Sequence, residues 1–429
     1  MGYRIYSFLS YLLLPFAFLR LYRKGRLTPG YRKRWSERCG YPGFKLNNKE
    51  VIWVHAVSLG ESIAAMPLIR RLLKDYPDQG ILITNMTPTG SDYIKTQIKN
   101  LGELGGFGKR IRTCYLPYDV PVFIKKFLKE IKPKILLLIE TELWPNLLKE
   151  LKARNIPVVL VNARLSERSY EKYAKFKNMS QNMLSCLSLT LAQTQDEAER
   201  FIQLGQDPEK IQVTGSLKFD LSIPDNIEEK ASPWRLQLKD RPVWIAASTH
   251  EGEESYLLDV HRHFLRDFPA GLLILAPRHP ERLPMLQELC KSAGFSFQVR
   301  SESEAIAPST QIFIVNTMGE LLLFYALSDV AFVGGSLVPR GGHNLLEPAA
   351  LKKATLTGPH VFNFQKITET LVQARASIMT PNSANLTQVL KDLFKNPAKR
   401  QKMGEAGFQV VAANRGALDR QYALIRKLI

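Results

Sequence analysis

From Val51 onward, short apolar runs alternate with segments whose apolar residues recur at helical spacing. The runs are VIWVHAV (51–57), ILITNM (81–86), ILLLIE (135–140), VVLVNA (158–163), LTLAQ (189–193) and IQVTG (211–215). They are rich in Val, Ile and Leu without strict alternation, the pattern of parallel strands covered on both faces. A polar, Pro-containing stretch at 222–242 breaks the rhythm. It restarts with VWIAAS (243–248), LLILAP (272–277), IFIVN (312–316), VAFVGG (330–335) and TLTG (355–358). The pattern predicts two doubly wound, Rossmann-like α/β domains facing a cleft, with a boundary near residue 220. Ligands of such sheets bind beyond the carboxyl ends of the strands, so the loops after these runs are where chemistry is expected.

The first residues follow another pattern. Ile5 to Leu21 are nearly all apolar or aromatic, at the lower limit of the about 20 residues that span a bilayer, and Pro15 interrupts them. Arg20, Arg23, Lys24, Arg26, Arg32, Lys33, Arg34 and Arg38 follow. The basic block lies on the wrong side for a signal peptide, and no small-residue cleavage site follows. The expectation is an anchor, spanning or interfacial, with its cations on anionic lipid headgroups and the rest of the chain on the cytoplasmic side. The alternative is an amphipathic helix buried under the first domain.

Composition narrows the class. Of 429 residues, 45% are hydrophobic and 23% charged, which excludes a disordered chain or a coiled-coil rod. The four cysteines are far apart, so neither a zinc ribbon nor a disulfide scaffold is indicated. The net charge of +19 calls for something anionic nearby. The clearest basic concentration sits beside the apolar anchor rather than among aromatics, which argues against a nucleic-acid partner.

In the loops, AVSLGES puts Glu61 at a helix amino terminus, where it is either a helix-dipole partner or a general base. IETELWPN carries Glu140 and Glu142 at a strand end; only one of the two is expected to face the cleft. Lys218 stands where the first domain hands over to the second, a candidate for phosphate or carboxylate. In the second domain Pro277, Arg278 and His279 follow a strand, and a guanidinium there suits an anion. Met318, Gly319 and Glu320 open a helix. FVGGSLVPRGGHNLLEP sets glycines for close backbone approach to a ligand, then Asn344, Leu345, Leu346 and Glu347, the last placed to hold ribose hydroxyls. The dinucleotide fingerprint, a Walker lysine, H-E-x-x-H and D-x-D are all absent from the sequence, so no metal or cofactor is expected. A carboxylate on one side and an anion and ribose site on the other describe a nucleotide-sugar transferase of the two-domain GT-B kind.

The blocks YRKRWSERCG, AVSLGES, IETELWPN, NARLSERS, TGSLKFD, STHEGEE, PRHPER and FVGGSLVPRGGHNLLEP, in this order along the chain, resemble the bacterial 3-deoxy-D-manno-octulosonic acid (Kdo) transferases. The resemblance implies inverting, metal-free transfer from CMP-Kdo to a lipid A precursor (lipid IVA) in lipopolysaccharide assembly, by an enzyme anchored on the cytoplasmic side of the inner membrane. By motif it implies Glu61 as the base that deprotonates the acceptor, and Glu140 and Lys218 as groups assisting the transition state. Pro277, Arg278, Met318–Glu320 and Asn344–Glu347 would hold CMP. The implied organisation is an anchor and basic segment at 1–50, an acceptor domain at 51–220, a CMP-sugar domain at 221–405, and a C-terminal helix at 406–429 packing back on the first domain. The same-class rival is a GT-B enzyme using a UDP or ADP sugar.

Overall fold

The computed structural model describes residues 2–44, 50–105, 110–221 and 223–429. Residues 45–49 of the expected basic segment and Ser222 of the expected linker lie outside them. The chain forms two units: one runs to Asp220 and takes in Arg415–Ile429, the other is Leu221–Asn414.

In the first unit the strands are β1 (Val51–His55), β2 (Gly80–Asn85), β3 (Ile111–Tyr115), β4 (Pro133–Ile139), β5 (Val158–Ala163), β6 (Leu189–Ala192) and β7 (Ile211–Val213). They form one sheet in the order β3-β2-β1-β4-β5-β6-β7, with every pairing parallel. The strands read as unbroken apolar runs because helices cover both faces. Trp53, Leu136, Leu138 and Leu160 meet Phe127 and Phe201 on one side. Ile52, Val54, Leu137 and Val159 meet Leu68, Ile69 and Tyr422 on the other. The strand β3 has no counterpart among the sequence runs: it is an edge strand with Arg112 and Thr113 half-exposed.

Two helices, not one, occupy the C-terminal stretch. Pro397–Asn414 belongs to the second unit, and a turn at Gly416 (φ +86°) starts Ala417–Ile425 in the first. The last helix is tied down by Asp220, whose carboxylate accepts from Gly416 N at 2.6 Å, and by the Tyr422 hydroxyl, which donates to Asp75 at 2.6 Å.

The amino terminus forms the helices Gly2–Leu12 and Leu14–Lys24, bent by 48°. Among the described residues no single helix is long and apolar enough to cross a membrane, though this bent pair passes by length and composition together. One face rests on the first unit: Ser7 Oγ donates to Asn146 Oδ1 at 2.6 Å, and the Phe18 ring meets Trp35 and Tyr118. The other exposes Ile5, Phe8, Leu9, Leu12, Leu13, Phe16 and Leu19. The basic block divides likewise. Arg20, Arg23, Lys24, Arg26, Arg32 and Lys33 are exposed, but Arg34 and Arg38 are not available to headgroups. Arg34 is bonded to Glu37, Ser91 and the Thr113 carbonyl. Arg38 is 1% exposed, donates to the Met86 carbonyl and lies 4.1 Å over the Tyr115 ring.

The second unit repeats the design with β8 (Val243–Thr249), β9 (Leu272–Pro277), β10 (Phe297–Val299), β11 (Ile312–Ile314), β12 (Val330–Val333), β13 (Ala354–Thr357) and β14 (Ser377–Met379). The order is β10-β11-β9-β8-β12-β13-β14, again all parallel. Two parallel sheets, each flanked by helices, are the GT-B architecture. In the first sheet the strand order reverses between β1 and β4, and in the second between β8 and β12. Loops spread apart at such switch points and leave room for a ligand.

Candidate functional site

At the first switch point the loops after β1 and β4 carry Glu61 and Glu140. Ser58 caps the helix Leu59–Asp75, and Ser58–Glu61 is a capping box. Glu61 Oε1 accepts from Ser58 Oγ at 2.7 Å, and its Oε2 accepts from Val57 N, also at 2.7 Å. Burial pushes the Glu61 carboxyl above the usual range; the Ser58 hydrogen bond opposes this, and the charge of Glu140 adds to it.

Glu140 follows the last residue of β4 with φ +61°, a left-handed conformation that a residue with a Cβ adopts only under constraint. Its N–H is held by the Val161 carbonyl at 2.9 Å. The expectation that only one of Glu140 and Glu142 joins the site does not hold: strand alternation itself sets residues i and i+2 on the same face. Glu142 is pushed up to about 7 by burial and by the charges of Glu61 and Glu140, so all three carboxylates share one field.

Lys218 supplies the compensating cation, its Nζ 3.2 Å from Glu140 Oε1, with both side chains about one quarter exposed or less (25% and 21%). Its short turn is fixed from below: Leu217 N donates to Asn162 Oδ1 at 3.0 Å, and Asn162 N donates to Gln421 of the last helix at 3.1 Å. Glu61, Glu140 and Lys218, more than 150 residues apart at the extremes of sequence, thus meet within one unit.

In the second unit, Pro277 closes β9 and Arg278 N donates to the Thr249 carbonyl at 3.0 Å. Across the switch point Asn344 stands just before the short helix Leu346–Ala350: its Oδ1 accepts from Leu346 N at 3.1 Å, and its Nδ2 donates to Glu347 Oε1 at 3.3 Å. Burial raises the Glu347 carboxyl, while Asn344 and the charge of Arg278 lower it, so Arg278 and Glu347 lie in one field. Leu345 and Leu346 are core residues at 1% and 0% exposure. Met318, Gly319 and Glu320 follow β11, the neighbour of β9, but Glu320 is engaged by Arg300 at 2.9 Å and by the Thr317 hydroxyl rather than by Arg278.

Two of the loop glycines make room within the protein itself. A Cβ on Gly334 would strike Glu253, and one on Gly335 would come within 2.9 Å of the His343 ring, so these glycines admit protein groups. Glu253 is fully buried and accepts from His250 N, Gly335 N, Ser336 N and Leu337 N at 2.7–2.9 Å, using the N–H groups of the loop itself. Sequence reasoning missed Glu253; its place in STHEGEE, just after β8 at the switch point, was the available signal. It gave no role to His250 and His343, which meet at Nε2···Nε2 2.9 Å across 93 positions of sequence.

Residues 33–221 match the family model described as 3-Deoxy-D-manno-octulosonic-acid transferase (kdotransferase). A 3-deoxy-D-manno-octulosonic acid transferase of Haemophilus influenzae is 43% identical over 402 residues, covering 93% of this chain and 92% of that protein. One from Bordetella pertussis is 34% identical over 432 residues, 98% of both chains. At the level of fold, the UDP-GlcNAc 2-epimerase of Neisseria meningitidis, 14% identical, superposes with a TM-score of 0.55 over 88% of this chain and 99% of its own. The chain therefore belongs to the 3-deoxy-D-manno-octulosonic acid transferase family.

Proposed function

We propose that the protein transfers Kdo from CMP-Kdo to a lipid A precursor (lipid IVA) during lipopolysaccharide assembly, with inversion at the anomeric carbon. Glu61 accepts the proton of the acceptor hydroxyl as its oxygen attacks the sugar. The bond to CMP breaks on the opposite face, and CMP leaves with the electron pair. A base works best with a proton affinity near that of its medium, and burial beside Glu140 moves Glu61 in that direction. Lys218, held 3.2 Å from Glu140, supplies a cation for the carboxylate on the reacting carbon. Pro277, Arg278, Met318, Gly319, Glu320 and Asn344–Glu347 form the CMP site, with Arg278 for the anion and Glu347 for the ribose.

The amino-terminal helices are an interfacial anchor on the cytoplasmic side of the inner membrane. An apolar stripe from Ile5 to Leu19, flanked by exposed Arg4, Arg20, Arg23, Lys24 and Arg26, suits acyl chains beneath anionic headgroups. With the other face seated on the first unit, lying in the interface fits better than spanning.

The observation that carries the reading is the meeting of Glu61, Glu140 and Lys218 at the switch point of the first sheet. Calorimetric binding of CMP against UMP and AMP tests the donor assignment. CMP is expected to bind most tightly; UMP or AMP binding as well as CMP would overturn it.

A further inference from the structure

Three loops of the second unit bring His250, His279 and His343 together. His250 follows β8, His279 follows β9, and His343 lies between β12 and the helix of Glu347. The Nε2 atoms of His250 and His343 are 2.9 Å apart. Their ring centroids are 5.1 Å apart with planes differing by 4°, the head-to-head alignment of an N–H···N hydrogen bond. Such a bond takes one donor and one lone pair, so the two neutral rings must hold opposite tautomers. One further proton fits, on the Nδ1 of the donating ring, leaving an Nδ1–H on both rings. A second added proton would set two Nε2–H groups against each other, so the pair holds a single positive charge. Neither Nδ1 has a hydrogen-bond partner among the described residues.

The surroundings hold the pair without neutralising it. Glu253 fixes both the His250 backbone and the glycine loop, and Gly335 leaves room where a Cβ would strike both rings. Arg278, Arg340 and His279 face the pair with cationic or protonatable groups. The nearby acids are committed elsewhere: Glu253 to four backbone N–H groups, Glu254 to Arg282 at 2.6 Å, Glu281 to His279 at 3.3 Å, and Glu347 to Asn344 at 3.3 Å. Burial and these cations lower both histidines, His343 to about 4, so the pair is neutral at pH 7.

We propose that His250 and His343 take up one proton together when the anionic part of the donor binds, and donate from their outer Nδ1 edges to phosphate or carboxylate oxygens held by Arg278. The inference rests on the reading of Arg278 and Asn344–Glu347 as the CMP site. The proton comes from solvent, so binding is linked to pH and weakens as pH rises.

The test is calorimetry at pH 7 in buffers of different ionisation heat, titrating CMP, cytidine and free Kdo into the full-length protein. Uptake of about one proton per CMP at most is expected, with none for cytidine. CMP affinity is expected to fall as pH rises, by up to about tenfold per unit. His343→Gln, which removes the shared N–H···N bond of the ring pair, should reduce the uptake to what the CMP phosphate itself contributes. Uptake with Kdo but not with CMP would assign the carboxylate as the partner. Histidine ¹⁵N resonances of the wild-type protein read the same event without a variant. CMP binding with no uptake and with neutral ring signals, or uptake unchanged in His343→Gln, would overturn the proposal. Failure of CMP to bind at all would instead overturn the CMP-site reading on which it rests.

Discussion

Glu61→Gln separates the two jobs that the structure gives this side chain. As a capping residue, Glu61 accepts from Val57 N and Ser58 Oγ, both at 2.7 Å. Gln is as competent in a capping box as Glu. Its oxygen can keep the Val57 bond and its NH₂ can donate to Ser58, whose hydroxyl turns to accept. The structural cost is then about 0.5–1.5 kcal/mol, one hydrogen bond weakened, and removing a buried charge offsets part of it. As a base, an amide at this position is inert, and the loss expected is about 100- to 10,000-fold in turnover, or roughly 3–5 kcal/mol of barrier. The assays are thermal unfolding, CMP calorimetry and the rate of Kdo transfer. Stability and CMP affinity should stay near wild type while kcat and kcat/KM fall together. Wild-type-like turnover by Glu61→Gln would refute the base assignment and leave Glu61 as a cap.

Further outcomes follow from other side chains. Glu142→Gln should raise the melting temperature at pH 8 more than at pH 4.5: the folded-state carboxyl titrates near 7, so wild-type stability falls as pH rises from its ordinary value towards about 7. Equal effects at both pH values would show that Glu142 feels no such field. Glu347→Ala should weaken CMP binding by about 1–3 kcal/mol, the range for hydrogen bonds to a charged group; unchanged affinity in calorimetry would rule out the ribose role. Replacing the exposed Phe8, Leu12 and Phe16 together with Ser should leave the melting temperature unchanged and lose binding to anionic vesicles in a flotation assay, since these side chains are 57–69% exposed. Retained binding would move the anchor elsewhere.

Both sheets were legible because strands buried on two faces write themselves as apolar runs. The strands that escaped are edges. The strand β3 carries Arg112 and Thr113, and β10 and β14 are short edges that are only partly buried. The positions of Glu61, Glu140 and Lys218 were readable as residues after strands, but their meeting was not. It depends on sheet order and on Asn162 and the last helix bracing the Lys218 turn. Glu142 was set apart from Glu140 although two residues at i and i+2 share a strand face, and nothing local announces the left-handed Glu140. Charge counting misjudged Arg34 and Arg38, whose guanidiniums face Tyr115 and backbone carbonyls rather than solvent. The glycine-rich loop was legible, but not that Gly334 and Gly335 make room for Glu253 and the histidine pair.

The most direct measurement is mass spectrometry of a phosphorylated lipid A precursor after incubation with the full-length protein and freshly made CMP-Kdo. A mass gain of one or more Kdo residues, lost in Glu61→Gln, is the predicted result. No gain with folded wild-type protein and dispersed lipid would contradict it.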